Sequence, residues 1–345
     1  MKTIRDQNFQ GKRVLLRCDF NAPLDENGNV IDDFRIQQSL PTITHLLEQG
    51  AKLFLISHLG SPKGKVQDSL SFNPIRKVLE KYLNQPVAEV SFKEAEKIEG
   101  SVALLENIRF NPGEEENDES FAKELASLGD AFVNDAFSAS HRSHASIVSL
   151  PKFLPSYAGL LLEKEVLALE HFLKHPAHPF VAVVGGKKVE DKLSFVDAIS
   201  NLADFVLIGN LLAQEIAKKG TVLKNPKKIV LPLDGYPGDG KELDIGPRTR
   251  TLFAEKIKDA KSVFWAGPLG LIEKKEYAAG SLEVAKAIIG SFAFSVAGGG
   301  NLSAFLGEYN LRDKFSYVST GGGATLAFLA GKKLPGLEAL GYYAD

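Results

Sequence analysis

Two α/β domains, each built on a mostly parallel sheet and joined by one helix with a cleft between them, are the architecture this sequence predicts. Three observations predict it. The chain has 345 residues, more than one ordinary hydrophobic core organises. Short β-rich apolar runs alternate with segments of helical period along its length, the pattern of parallel strands covered by helices on both faces. Midway, the proline-bounded stretch 151–155 is followed by an unbroken helical pattern over about 163–173, long enough to connect two domains. The boundaries that follow are a first domain over 1–160, a linking helix over 161–174 and a second domain over 175–330.

In the first half the apolar runs 12–17, 52–57, 102–105 and 131–134 read as strands. The segments between them, 36–49 with Gly50 as its stop, 74–83 and 121–127, have helical spacing. After the linking helix, 171–179 holds His171, His175 and His178 with two prolines and reads as a solvated face. Strands are then predicted over 180–184, 205–208, 262–265, 292–297 and 315–319, with helices over 191–202, 282–289, 302–306 and 324–329. No fixed-period repeat and no low-complexity stretch interrupts the series.

Composition narrows the class. Apolar residues make up 44% and charged residues 24%, with a net charge of −2, which fits a soluble globular protein with no global pull toward nucleic acid or anionic lipid. A single cysteine, Cys18, sits inside an apolar run; it cannot form an intrachain disulfide and reads as a small buried hydrophobe. The N-terminal stretch MKTIRDQNFQ has no apolar signal core, and no apolar run approaches the ~18 residues of a membrane span. The expectation is a cytoplasmic monomer acting on small molecules, with no membrane and no nucleic acid.

Three times in the second half a strand runs into glycines and then a helix: VAVVGGKKVEDKL, FSVAGGGNLSAFL and FSYVSTGGGATLAFL. Glycine lets the backbone approach a ligand, and the following helix N-terminus offers unpaired N–H groups to an anion. One such turn means little. Three in one domain, one of them carrying Lys187, Lys188 and Lys192, point to phosphate. None is a Walker A loop and none is GxGxxG, so a dinucleotide dehydrogenase fits poorly.

The first half places polar residues just beyond its strand ends. Asp19 and Asn21 follow the first strand, His58 the second, Arg109 the third, and His141, Arg142 and His144 the fourth, while Arg35 follows the acidic turn 32–33. Parallel strands gather all of these on one rim, where arginine forks match phosphate and carboxylate. The two histidines of HRSHAS lack the further ligands zinc requires.

Taken together these strings resemble the phosphoglycerate kinase family over nearly the whole chain. The similar segments, in the family's order, include GKRVLLRCDFNAPLDENGNVIDDFRI, SHLGSPKG, LLENIRF, HRSHAS, FLPSYAGLLLEKE, VVGGKKVEDK, LDIGPRT, WAGPLGLIE, AGGGN and VSTGGGATLAFLAGKKLPGLEAL. The resemblance implies two Rossmann-like domains, with a C-terminal tail over 331–345 returning to the first. It assigns binding of a phosphorylated acid to Asp19, Asn21, Arg35, His58, Arg109 and Arg142, with Ser61 standing where the family has an arginine. It assigns the nucleotide to Lys188, Lys192, Glu273, the Gly299–Gly300 and Gly321–Gly322 turns, Asn301 and Leu302, and the metal position to Asn301. Arg35 and Lys188 carry the catalytic charge. The implied reaction is ATP + 3-phosphoglycerate ⇌ ADP + 1,3-bisphosphoglycerate with Mg²⁺, a step of glycolysis. Its nucleophile is a carboxylate in one direction and ADP in the other, so no general base is needed; positioning and charge neutralisation do the work, with domain closure excluding water.

The chain departs from the family pattern at Ser61, Lys187, Ala266, Asn301 and Leu302, and the stretch 209–243 is short. Most of these changes fall on the nucleotide side. Two other readings therefore stay open at the sequence level: a non-catalytic or weakened relative that binds phosphorylated acids or a protein partner, and a kinase for another small acid.

Overall fold

The computed structural model describes the chain except residues 93, 95–99, 187–189, 239–241 and 345, and at 190 and 191 it describes the backbone alone. Residues divide into two compact units, 1–165 with 333–345, and 166–332.

The first unit holds strands β1 (Arg13–Arg17), β2 (Lys52–Ile56), β3 (Ala88–Val90), β4 (Val102–Leu105), β5 (Ala131–Asn134) and β6 (Ser156–Ala158). They form one sheet in the order 3-4-2-1-5-6, every neighbouring pair parallel. The apolar runs of β1, β2, β4 and β5 are buried on both faces, as parallel sheets require. Val14 and Leu16 enter one core with Phe20, Ile43 and Leu46; Leu15 enters the other with Phe54, Phe132 and Leu150. Arg17 is level with Ile56 on one side and Asn134 on the other, and Leu55 with Leu104. The segments that follow these strands therefore leave the sheet side by side.

The second unit holds β7 (Phe180–Val184), β8 (Phe205–Ile208), β9 (Ile229–Val230), β10 (Gly235–Tyr236), β11 (Asp244–Ile245), β12 (Ser262–Ala266), β13 (Phe294–Gly298) and β14 (Tyr317–Ser319). Its parallel sheet runs 14-13-12-7-8-9, while β10 and β11 form a small antiparallel pair. Ala266 lies level with both Val184 and Gly298, and Gly298 with Ser319. Four adjacent strands thus end together, and each leads into glycine.

Sequence and structure differ mainly at the edges. Strands β3, β6, β9, β10 and β11, each of two or three residues, are too short to show a period of two. The helices Asn210–Lys219, Pro247–Lys258 and Pro335–Ala339 add to those the sequence pattern predicts. The helix expected over 36–49 runs Phe34–Glu48 with Pro41 inside it. Gly50 follows at φ +77°, the left-handed geometry of a helix stop. His171 is not simply solvated: its ring lies 4.3 Å from that of Phe294 and its Nε2 3.3 Å from Ser262 Oγ. Cys18 is fully buried.

The helix Leu160–Lys174 starts under a buried carboxyl group. Asp135 Oδ1 accepts the N–H groups of Leu161 at 2.9 Å and Leu162 at 3.1 Å, two of the donors a helix start leaves without partners. Gly159 must be glycine there, because a Cβ would lie 2.1 Å from that oxygen. At the other end of the chain, Gly336 donates its N–H to Ser140 O at 2.9 Å. A Cβ at Gly336 would meet Ser140 and Ile147 at 2.9 Å, so the C-terminal helix packs directly on the segment that carries Arg142. Among the described residues no helix is long and apolar enough to cross a membrane.

Candidate active site

The rim of the first unit is assembled from four loops tied to one another. Phe20 donates its N–H to Ser57 Oγ at 2.8 Å, and that hydroxyl donates to Cys18 O at 3.0 Å. Asn21 Oδ1 accepts the N–H of Gly60 at 3.0 Å. Asn107 accepts the N–H of Leu59 and donates to its carbonyl, and Arg109 Nη1 donates to Gly60 O at 2.7 Å. The strand ends are thus cross-linked by buried polar contacts before any ligand arrives, the preorganisation a charged site needs.

Asp19, 2% exposed, receives hydrogen bonds from Arg35 and Ser138 and from the N–H of Asn21 at 3.1 Å. Burial, the largest single cause, pushes its carboxyl up, but the Arg35 guanidinium together with His58, Ser138 and the Asn21 N–H outweighs burial and holds it down at about 2. Asp19 therefore stays ionised and aims Arg35. Arg109 is 3% exposed, and its Nε lies 3.3 Å from Glu115 Oε1. Burial and then the charge of Arg142 make its guanidinium less basic than usual. Arg142 is exposed, and among the described residues its guanidinium has no carboxylate partner. His58 is buried at the end of the second loop, and Ser61 is exposed in the turn beyond it. The structure thus brings Asp19, Asn21, Arg35, His58, Arg109 and Arg142 onto one rim of one unit, with Ser61 at its margin.

Sequence reasoning missed the layer beneath. Arg17 is fully buried. Its Nε donates to Ser146 Oγ at 2.9 Å, Nη1 donates to Cys18 O, and Nη2 lies 3.3 Å from His58 Nδ1. Glu114, also fully buried, accepts the N–H and the Oγ–H of Ser146 at 2.8 and 2.7 Å and lies 4.0 Å from Arg17 and 3.7 Å from His144. Burial raises the Glu114 carboxyl, but His144, Arg17 and Ser146 together bring it below the ordinary range. An arginine inside the apolar run LLRCDF was the one available signal, since a charge there must find a partner.

In the second unit the glycine turns after β7, β12, β13 and β14 stand side by side. Gly186, Gly267, Gly299 and Gly322 have φ of +96°, +79°, +114° and +51°, conformations that side chains disfavour. Lys192 donates from Nζ to Gly185 O. A Cβ at Gly186 or Gly267 would lie 2.3 or 2.8 Å from that ammonium, so the glycines make room for it. Burial lowers the Lys192 amine to about 8. Gly299 precedes the helix Gly300–Glu308, with Asn301 exposed in its first turn. Asn301 is not the helix cap; that position belongs to Gly299. Leu302 is fully buried, so it can reach a ligand only through its backbone N–H. At the third turn, Gly321 donates its N–H to Ser319 Oγ at 3.0 Å, and that hydroxyl pairs with Thr325 Oγ1 at 2.8 Å. Glu273 is exposed in a turn after β12. Lys187 and Lys188 lie outside the described residues.

Among the described residues no group of three or more His, Cys, Asp or Glu is placed to hold a metal ion. Asn301 supplies at most one neutral oxygen. That donor set fits a magnesium ion that arrives with nucleotide phosphates and keeps its waters, and does not fit a protein-held cage.

Comparison with known proteins agrees with this geometry. A family model described as phosphoglycerate kinase matches residues 4–222 and 213–332. A phosphoglycerate kinase of Herpetosiphon aurantiacus is 41% identical, and one of Pelotomaculum thermopropionicum 39%, each over 98% of both chains. Both alignments extend over 388 positions, so these relatives carry segments that the 345-residue chain lacks. Among solved structures, the phosphoglycerate kinase of Pyrococcus horikoshii superposes with a TM-score of 0.89 at 34% identity, covering 100% of both chains. That of Coxiella burnetii superposes with 0.83 at 34% identity, covering 99% of both.

Proposed function

The chain belongs to the phosphoglycerate kinase family, and from that premise we propose that it transfers a phosphoryl group reversibly between ATP and 3-phosphoglycerate, forming ADP and 1,3-bisphosphoglycerate. The observation that carries the proposal is the rim of the first unit. At the rim and just beneath it, Arg17, Arg35 and Arg109 each face one carboxylate, Glu114, Asp19 and Glu115 respectively, leaving Arg142 exposed and uncompensated where an anion can be taken up. A substrate with both a phosphate and a carboxylate suits such a rim, because each end finds a fork.

The roles follow from where the groups stand. Arg109 and Arg142 bind the phosphorylated acid, with Asn21 holding the Gly60 turn in place. Arg35, aimed by Asp19, offers positive charge to the transferred group. In the second unit Lys192 exchanges the Gly185 carbonyl for nucleotide phosphate, and the N–H groups of the Gly299–Gly300 and Gly321–Gly322 turns accompany it. Lys188 is assigned a catalytic charge, Glu273 the ribose, and Asn301 one ligand of the nucleotide's magnesium. When bound, magnesium supplies neutralisation of phosphate charge. Hinge closure, a monomeric state and a cytoplasmic, glycolytic setting complete the proposal.

A coupled spectrophotometric assay in both directions tests it. Turnover with ATP and 3-phosphoglycerate, and with ADP and 1,3-bisphosphoglycerate, is the expected result. No turnover in either direction, with 3-phosphoglycerate still binding in a calorimeter, would refute the kinase and leave an acid-binding protein.

A further inference from the structure

Arg17 and Glu114 lie beneath the rim and touch no position assigned to substrate except one, His58. Arg17 Nη2 stands 3.3 Å from His58 Nδ1. A guanidinium has only donors and does not lose its proton in a protein. The imidazole nitrogen facing it must therefore present a lone pair. A doubly protonated ring would set N–H against N–H and two positive charges 3.3 Å apart in a buried site. Arg17 cannot turn away, since its other nitrogens are engaged by Ser146 Oγ and Cys18 O. Ser146 is itself fixed by Glu114.

Resting on the phosphoglycerate kinase reading, we infer that Arg17 is a positioning residue: anchored through Ser146 and Glu114, it fixes His58 as a neutral imidazole with its proton on Nε2, so that His58 meets the phosphorylated acid as a directional hydrogen-bond donor and not as a cation.

The surroundings agree. Charged groups face His58 from every element around it: Arg17 at the end of β1, Asp19 just beyond, Arg109 from the turn after β4, and Arg35 from the helix Phe34–Glu48. Burial and Arg17 push the proton off the ring, Arg109 and Arg35 act the same way, and Asp19, already committed to Arg35 and Ser138, is outweighed. Among the described residues Nε2 makes no hydrogen bond of its own. The rim's charge is then set by its arginines, and the histidine contributes geometry.

The test is nitrogen NMR of the full-length, ¹⁵N-labelled protein without ligand, with the His58 signals assigned by their loss in His58→Gln. The expected result is a protonated Nε2 and a bare Nδ1, unchanged from about pH 8 down to about pH 6, where an ordinary histidine takes up its proton. A ring protonated on Nδ1, or one that titrates within that range, would overturn the inference. A second readout uses Arg17→Lys, which keeps the charge and loses the fork. It should disturb the His58 tautomer and raise the KM for 3-phosphoglycerate about 2- to 10-fold, with the nucleotide KM unchanged. A purely structural arginine would instead lower the thermal midpoint and leave the tautomer alone. Should that variant fail to fold, the wild-type spectrum decides. Calorimetry with 3-phosphoglycerate on wild type separates the two levels. Absence of binding sinks the functional reading and with it the ligand half of the inference, whereas binding by a protein whose His58 titrates sinks the tautomer alone.

Discussion

Replacing Arg142 and Arg109 separately by alanine should uncouple affinity from stability. Arg142 is exposed and has no carboxylate partner among the described residues, so its truncation leaves no buried group unsatisfied and costs the fold little. What it removes is a charge-assisted hydrogen bond to a bound anion, about 1.5–3 kcal/mol, which is roughly 10- to 150-fold in acid affinity. Arg109 is 3% exposed and donates to Gly60 O. Its truncation removes a comparable ligand contact, loosens the turn 58–61 and leaves a cavity where the buried guanidinium stood, so the unfolding midpoint should fall as well. Calorimetric titration with 3-phosphoglycerate, paired with thermal unfolding of the free proteins, reads both quantities. Unchanged affinity in Arg142→Ala would refute the assignment of the exposed arginine to the anion. Equal loss of stability in the two variants would refute the accounting of their partners.

Three further outcomes are expected. Ser61→Arg adds a fork at the margin of the rim and should tighten 3-phosphoglycerate binding about 10-fold; an unchanged Kd would mean that the loop points elsewhere. Asn301→Asp puts a charge beside the phosphate turns and in the first turn of the helix Gly300–Glu308. It should lower the magnesium concentration needed for half-maximal activity, and an unchanged magnesium dependence would remove Asn301 from the metal. Asp135→Asn should flatten part of the pH dependence of stability. Burial, the dominant cause, raises the Asp135 carboxyl from 3.8 to about 7 in the folded protein, so the native state holds a proton that the unfolded chain releases. The stabilising contribution is complete below about pH 4 and is lost as pH rises toward 7, on the order of 4 kcal/mol at its ceiling. Relative to wild type, the variant should gain stability between about pH 4 and pH 8, and parallel melting curves across that range would exclude the shift.

Much of the fold was legible because its central strands are buried on both faces. Runs such as VLL in β1 and FVAVV in β7 are apolar throughout, which alternation with helices turns into parallel strands. The edges were not legible. β9, β10 and β11 have two residues each, and no periodicity exists in two residues. The gathering of Asp19, His58, Arg109 and Arg142 on one rim was legible for a different reason: parallel strands that end level place their next residues together, whatever those residues are. The glycine turns were legible through the same geometry, while the burial of Leu302 was not, because a helix's inward face at its first turn depends on the sheet it meets.

The countercharges stayed hidden because they are settled by contacts far apart in the chain. Glu114 lies in the run GEEE, which by composition is a solvated acidic turn. Two of its neighbours behave that way, being exposed, yet Glu114 is fully buried. What buries it is Ser146, 32 residues later, which offers both an N–H and a hydroxyl, and Arg17, which approaches from β1. Arg35 and Asp19 make the second such pair, Arg109 and Glu115 the third. Each pair costs desolvation and returns a fixed direction. A site meant to hold a small dianion or trianion gains from that exchange, because guanidiniums already held in place lose little freedom when the ligand arrives. The charge left for the ligand is then decided by which arginine lacks a partner. Local sequence gives Arg142 the same appearance as Arg109, and only the three-dimensional pairing distinguishes them.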